Sequence, residues 1–274
     1  MRALQRLRIV RSALRYFPVN ERSGTLKTTC AAFAVFLAAS IAYSQTPPSD
    51  APAPDGEETP PSLEETLAKA LDGDAEAQTL IASMYEERGS HEDAVRWYSK
   101  AAKQGRPDAQ FKLGFYHARG SGGLKKDMEA AANWFQKAAG KDQVGAQYNL
   151  AVCYENGLGV PQNNALALGW YRQAADRGET FAQKAVGVHY EKGRAVKQDK
   201  IEACAWYLLS ASRNNPEAKK LLKNLAPSLK PEESKKAQQR AHELSARIYQ
   251  APLGAANTTA AKPPKKGPTK DFLE

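Results

Sequence analysis

The sequence predicts an all-helical protein made of repeated helix pairs, and three regularities lead to this prediction. Small and apolar residues recur at helical spacing on both sides of a glycine hinge over residues 146–178. Related patterns occur four times, and their first helices start from Ala77, Ala109, Ala146 and Ala182, at intervals of 32, 37 and 36 residues. A single helix pair cannot bury its own apolar stripe, so adjacent copies must cover it. This favours an all-α superhelix, or solenoid, with capping helices at its N- and C-terminal ends.

Residues 1–44 are predicted to be an export signal. Residues 1–27 carry seven basic side chains and one acid, and an apolar run follows over residues 28–43. That run is shorter than the ~20 residues that a membrane-spanning helix needs. Ala42 and Ser44 are small residues that suit cleavage near Ser44. An uncleaved inner-membrane anchor is the first alternative, and a mitochondrial presequence is the second because residues 1–27 could form a basic amphipathic helix.

Two further segments are predicted to be disordered. Residues 45–61 hold six prolines and four acids without apolar periodicity, and residues 251–274 hold four prolines and four lysines. The leader over residues 1–27 contributes +6 of the formal net charge of +9, which leaves +3 for the rest of the chain. A net charge so close to zero outside the leader gives no reason to expect a nucleic-acid partner.

The solenoid is predicted to occupy residues 62–250. Ser62 and Glu65 form a capping box that starts an N-terminal capping helix. After residue 218 the pattern decays, and Pro231 opens a polar helix that suits the C-terminal end of a repeat array. The repeats and the C-terminal cap are expected over about residues 77–108, 109–145, 146–181, 182–217 and 218–250.

The second helix of each repeat is marked by a tryptophan, namely Trp97, Trp134, Trp170 and Trp206. An aromatic residue follows each tryptophan, and a residue that tolerates left-handed backbone lies eight places after it. The next alanine of the series lies twelve places after it in every case. A turn of constant length gives each repeat the same rotation on its neighbour. The tryptophans and alanines are therefore expected to form a buried seam.

The hinges within the last three repeats end at a residue that can cap a helix. These residues are Asp127, Asn163 and Asp199. Their side chains are expected to accept hydrogen bonds from the first turn of the second helix. An apolar residue within each hinge is expected to close the end of the core, and these are Leu124, Val160 and Val196.

This order of residues resembles the Sel1-like repeat, a relative of the tetratricopeptide repeat. The run of alanine, Leu-Ala or Val-Gly, tyrosine, glycine hinge, capping residue, Trp-Tyr and small pair matches closely over residues 146–178 and 182–214. With the caps, the resemblance covers residues 62–250. It implies a right-handed α/α superhelix whose first helices line a concave surface. It also implies adaptor or assembly roles, and exported bacterial members are often tied to envelope functions or host contact.

The candidate binding site is a set of variable places on the first helices, three, seven and ten residues after the starting alanine. Variation among copies of one repeat suits surface positions that packing leaves free, although a purely solvated face would show it too. We predict a groove for an extended peptide or a helix, with the asparagines bonding the backbone of the partner. The predicted groove residues are Lys112, Tyr116, Arg119, Asn149, Asn156, His189 and Lys192.

No catalytic, cofactor-binding or metal-binding residues are predicted. The sequence has no Ser-x-x-Lys nucleophile motif and no His-Glu-x-x-His zinc motif. His117, which takes the place of a tyrosine in the other repeats, is expected to be a core histidine with a hydrogen-bond partner. Cys153 and Cys204 are expected to be separate thiols that pack as small apolar groups, with a bridge between them as the alternative.

These observations favour a non-enzymatic scaffold that binds a protein or peptide in the cell envelope or outside the cell. Two alternatives stay open at the level of the sequence. One is an envelope hydrolase related to cell-wall or β-lactam chemistry on the same fold, and the other is an assembly factor anchored in the membrane by residues 1–44.

Overall fold

The computed structural model describes residues 62–249, so the predicted export segment, linker and tail lie outside the described residues. A division between residues 68 and 69 separates two units of the chain, and all four repeats lie in the second. The described residues form eleven α-helices and one 3₁₀ turn, without a β-strand. The helices are α1 Leu63–Leu71, α2 Ala75–Glu87, α3 His91–Lys103, α4 Pro107–Arg119, α5 Met128–Ala139, α6 Val144–Asn156, α7 Asn164–Asp176, α8 Thr180–Lys192, α9 Lys200–Ser212, α10 Pro216–Leu225 and α11 Pro231–Tyr249.

The helices pack in consecutive pairs, which confirms the all-α solenoid. The pairs α2–α3, α4–α5, α6–α7 and α8–α9 are the four repeats, and each second helix also packs against the first helix of the next unit. The last helix, α11, packs against α9 and covers the end of the array. None of the helices between residues 62 and 249 is long and apolar enough to cross a membrane.

The turns between repeats have the predicted left-handed residue. Gly73, Gly105, Asp142, Gly178 and Asn214 all have positive φ, between +62° and +103°. This backbone conformation reverses the chain after each second helix, and glycine, asparagine and aspartate are the residues that adopt it at least cost. The constant spacing from tryptophan to the next alanine therefore corresponds to one turn geometry, as predicted.

The predicted helix caps are also confirmed. The side chain of Asp127 accepts a hydrogen bond from the backbone N–H of Ala130, and Asn163 and Asp199 cap α7 and α9 in the same way. At the N-terminal end of the described chain, Ser62 and Glu65 exchange hydrogen bonds of 3.1 and 3.2 Å as a capping box. These bonds satisfy backbone donors that the first turn of a helix leaves without partners.

A glutamine follows each starting alanine, and its side chain ties each first helix to the helix before it. In every repeat the Nε2 group donates to a backbone carbonyl eight residues earlier, near the end of the preceding helix, over 3.1 to 3.4 Å. The carbonyls at a helix C-terminus have no partner within the helix, and the buried glutamine supplies one. The four pairs are Gln78–Ala70, Gln110–Ala102, Gln147–Ala139 and Gln183–Ala175.

The buried seam contains the starting alanines, but the tryptophans do not all belong to it. Trp97 and Trp206 are buried, whereas Trp134 and Trp170 are only partly buried, so the expectation of four core tryptophans is wrong for two of them. The aromatic residue after each tryptophan is at most 2% exposed in all four repeats. These residues are Tyr98, Phe135, Tyr171 and Tyr207. Because these four residues are all buried, the centre of the seam lies at the residue after each tryptophan and not at the tryptophan itself.

The C-terminal helix closes the array through apolar and polar contacts. Ala237 and Leu244 of α11 are buried, and the Arg240 side chain lies 2.9 Å from a Glu202 carboxylate oxygen of α9. At its last turn, the Tyr249 hydroxyl accepts a hydrogen bond of 2.7 Å from the Gln183 side chain. Two of the three apolar hinge residues take their expected places, since Val160 and Val196 pack against the core.

The cap of α8 allows a prediction about pH. Glu179 precedes this helix, and its carboxylate accepts a hydrogen bond of 3.0 Å from the backbone N–H of Phe181. Burial raises the pKa of the Glu179 carboxyl. A carboxyl whose pKa is raised by folding binds a proton more tightly in the folded state, so its ionisation lowers the free energy of unfolding as the pH rises through that pKa. We expect Glu179→Gln to raise the melting temperature at pH 7, and the gain to shrink as the pH falls through the pKa of the folded state.

The preceding repeat provides the matched control. Gln143 has the equivalent place before α6, and its neutral amide oxygen accepts from the N–H of Ala146 over 2.6 Å. Gln143→Glu should therefore lower the melting temperature at pH 7. Thermal melts followed by circular dichroism from pH 4 to pH 8 measure both effects. Equal melting temperatures for Glu179→Gln and the parent protein across this range would contradict the assignment of a burial cost to Glu179.

Candidate protein-binding face

The predicted groove residues fall into two groups in the structure. Arg119, Asn156 and Lys192, ten places after the starting alanine, are exposed. The residues seven places after it are buried, with Tyr116 at 3% and His189 at 0% exposure. The prediction that these places lie on the surface is therefore wrong for Tyr116 and His189. It is also wrong for Asn149, which is buried as well, while Lys112 is partly buried.

The asparagines bond their own helix. The Asn149 amide donates to the carbonyl of Gly145 over 2.7 Å, and the Asn156 amide donates to the carbonyl of Val152 over 3.0 Å. Because Asn149 is buried as well as paired, it does not offer its amide group to a partner backbone as predicted. Asn156 is exposed, and its hydrogen bond uses the amide nitrogen and leaves the oxygen as an acceptor.

Lys112 and Tyr116 join two repeats by bonding one carboxylate. The Glu86 carboxylate, at the end of α2, receives hydrogen bonds from the Tyr98 hydroxyl over 2.9 Å and from the Lys112 ammonium over 2.8 Å. The Tyr116 hydroxyl lies 3.4 Å from the other oxygen of this carboxylate and 3.1 Å from Nδ1 of His91. The cluster therefore links the first repeat to the second, because α2 and α3 supply three of its members and α4 the other two.

A second cluster surrounds Glu155 at the end of α6. Its carboxylate accepts hydrogen bonds from the Tyr171 hydroxyl over 2.8 Å and from the Arg194 guanidinium over 3.0 Å. Nδ1 of His189 lies 3.0 Å from the carbonyl of Arg194, so this nitrogen is the donor. The other ring nitrogen, Nε2, is buried without a hydrogen-bond partner and lies 3.7 Å from the Glu155 carboxylate. This cluster links the third repeat to the fourth.

A hydrogen-bonded glutamate–tyrosine pair like those in the two clusters occurs a third time, in the fourth repeat. The second repeat lacks both members of the pair. The Tyr207 hydroxyl donates to the Glu191 carboxylate over 2.6 Å. Each glutamate lies nine places after the starting alanine, and in the second repeat that place is Ala118 while the tyrosine is replaced by Phe135. The acid and the hydroxyl are thus present together or absent together. Sequence reasoning missed this pair, although comparison of the two places across the four repeats would have revealed it.

Burial keeps these tyrosines protonated. It raises the pKa of Tyr98, Tyr171 and Tyr207, and the adjacent glutamate raises each of them further. Each hydroxyl is therefore a fixed donor, and each carboxylate is held in one orientation. Fixed groups of this kind lose little conformational freedom when a partner binds.

The described cysteines and His117 give no sign of a reactive site. Cys153 and Cys204 are free buried thiols, as predicted. Burial raises the pKa of the Cys153 thiol to about 12, which makes its reactive thiolate rare at neutral pH. His117 is partly buried, burial lowers its pKa, and its Nδ1 atom has no hydrogen-bond partner, so the partner expected for it is not found. Residues 62–249 contain no group of three side chains placed to hold a metal ion.

A sequence model of the Sel1 repeat matches four consecutive segments, residues 75–105, 107–142, 144–179 and 180–215. Together they account for just over half of the chain. This chain belongs to the Sel1 repeat family. Members of this family typically serve as scaffolds for protein–protein interactions. The matched segments coincide with the four helix pairs, so the family pattern and the packing describe the same units.

Solved structures of Sel1 repeat proteins are similar to this chain. A Sel1 repeat protein from Oxalobacter formigenes has 32% sequence identity and a TM-score of 0.55, with 65% of this chain and 74% of that chain covered. The protein c5321, a protective antigen with an SLR fold present in uropathogenic Escherichia coli strains, has 22% identity and a TM-score of 0.49, with 73% of this chain and 53% of that chain covered. No curated protein matches this chain.

Proposed function

We propose that this Sel1 repeat protein is a non-enzymatic scaffold that binds another protein through the first-helix face. This face comprises the exposed residues Arg119, Asn156 and Lys192 together with the carboxylates of Glu86, Glu155 and Glu191. The proposed ligand is an extended peptide or a helix of the partner. The site of action is the cell envelope or the outside of the cell, because residues 1–44 have the pattern of an export signal.

The observation that carries this proposal is the contrast between neighbouring places on the first helices. The residues ten places after the starting alanine are exposed and differ in charge, whereas the place before each carries an oriented carboxylate or Ala118. The four exposed residues are Glu87, Arg119, Asn156 and Lys192. Variable side chains on a rigid, regularly spaced support are what repeat proteins use to distinguish partners. A support fixed before binding also lowers the entropy cost of association.

Site-specific cross-linking tests which face the partner contacts. A photoreactive benzoylphenylalanine replaces Arg119 or Asn156 on the first helices, or Gln136 or Gln173 on the second helices of the same two repeats. All four positions are exposed, so the substitutions are matched in burial. After irradiation of cells of the native organism, we expect covalent adducts from positions 119 and 156 and none from 136 and 173. Adducts from the second helices alone, or from none of the positions, would overturn the proposal.

The proposed location has its own test. N-terminal sequencing of the protein purified from the native organism is expected to begin near residue 45, and cell fractionation is expected to place it in the envelope or the medium. A protein that keeps Met1 and stays with the membrane would instead be an anchored assembly factor.

A further inference from the structure

The three glutamate–tyrosine pairs differ in how their charge is neutralised. Lys112 lies 2.8 Å from the Glu86 carboxylate, and Arg194 lies 3.0 Å from that of Glu155. In both cases the cation comes from the following repeat. Glu191 accepts the Tyr207 hydroxyl over 2.6 Å, but no lysine, arginine or histidine among residues 62–249 forms an ion pair with it.

The reason lies in the unit that follows Glu191. Here the next first helix is α10 of the C-terminal cap, which has Leu221 and Leu225 at the places that Lys112 and Tyr116 take in the second repeat. Leu225 is buried together with Tyr207, and Leu221 is partly buried against the same apolar cluster. The cap therefore offers hydrocarbon where the earlier repeat offers a cation.

A partly buried carboxylate bonded to Tyr207, a residue of this apolar cluster, needs a positive partner. Removing its charge from water is costly, and one hydrogen bond from a tyrosine recovers only part of that cost. An arginine or lysine meets both features of the site, because its charged group pairs with the carboxylate and its hydrocarbon stem packs on leucine. A metal ion fits less well, since no group of three ligating side chains occurs in the described part of the chain.

We infer that Glu191, together with Leu221 of the cap, binds an arginine or lysine side chain of the protein partner. This inference rests on the proposed function and specifies the chemistry of one position in the ligand. The bound cation takes the place that Lys112 and Arg194 have at the equivalent carboxylates. Selectivity for basic peptides therefore belongs to the C-terminal end of the first-helix face, where no cation among residues 62–249 forms an ion pair with the glutamate.

A peptide library tests this inference on the full-length protein. Random twelve-residue peptides displayed on phage are selected on the protein, and one enriched peptide is synthesised for calorimetry. We expect every strong binder to contain a required arginine or lysine. Glu191→Gln keeps an oxygen that can accept the Tyr207 hydroxyl but removes the charge, and it should weaken binding about tenfold or more. Glu129→Gln makes the same charge change at an exposed site on the second helix of repeat two and should leave the affinity unchanged.

A double-substitution cycle identifies the contact. Replacing the basic residue of the peptide by glutamine should weaken binding to the parent protein but not to Glu191→Gln, because the two groups form one interaction. Strong binders that need no basic residue, or that bind Glu191→Gln as tightly as the parent, would overturn the inference and leave the proposed function standing. A library without any binder to the protein would overturn both. Tighter binding after deletion of residues 251–274 would show that the cation comes from this chain and would also overturn the inference.

Discussion

Replacing Gly159 with alanine is expected to lower the free energy of unfolding by about 3 kcal/mol or more. Gly159 lies in the hinge of the third repeat with φ of +70°, and a Cβ atom built on it would be 2.0 Å from the carbonyl oxygen of Met128. The nearest atoms belong to the backbone at the start of α5, so no side-chain rotation can relieve the clash. The substitution therefore adds a steric cost to the cost of a left-handed alanine, and it separates the third repeat from the second.

The fourth repeat supplies the matched control. Ala195 has the equivalent place in its hinge, has φ of +59° and is exposed. Ala195→Gly removes the left-handed strain without a packing change and is expected to stabilise the protein slightly, by up to about 1 kcal/mol. Urea unfolding followed by circular dichroism measures both variants. A Gly159→Ala protein that unfolds at the same urea concentration as the parent would show that the hinge does not pack against α5 in solution.

The local parts of this fold could be predicted from the sequence because short-range chemistry decides them. Asp127 caps α5 and Gly178 adopts the left-handed backbone as expected, since both roles depend on residues a few places away in the chain. The alanines of the seam were also predictable, because helical periodicity shows which side of a helix faces its own partner. Repetition at one period then made the solenoid the expected arrangement.

The depth of each residue could not be predicted, because it depends on how far one repeat rotates over the next. That rotation brings Tyr116 against Glu86 of the preceding repeat, which buries a place that the sequence treats as variable and therefore exposed. It leaves Trp170 partly open while burying Tyr171 next to it. Variation at a place in a repeat can thus mean a changed contact between repeats as well as a free surface.

The partly open Trp170 changes the expected ranking of two large substitutions. Helical pattern alone predicts a loss of about 3–5 kcal/mol for Trp170→Ala as a core residue. In the structure, Tyr171 is 2% exposed and Trp170 is partly exposed. We therefore expect the loss of about 3–5 kcal/mol for Tyr171→Ala instead. Trp170→Ala should cost less. Part of this ring is already exposed to water in the folded state, so the substitution removes less buried apolar area.

The hydroxyl of Tyr171 can be separated from its ring by a third variant. Tyr171→Phe keeps the buried ring but removes the donor that lies 2.8 Å from the Glu155 carboxylate. It should cost about 1 kcal/mol, since Arg194 still pairs with that carboxylate. The second repeat naturally has a phenylalanine, Phe135, at this place, but there the glutamate is replaced as well, by Ala118. Urea unfolding of the three variants gives the ranking of their free energies of unfolding. A larger loss for Trp170→Ala than for Tyr171→Ala would show that the tryptophan, and not the residue after it, lies at the centre of the seam.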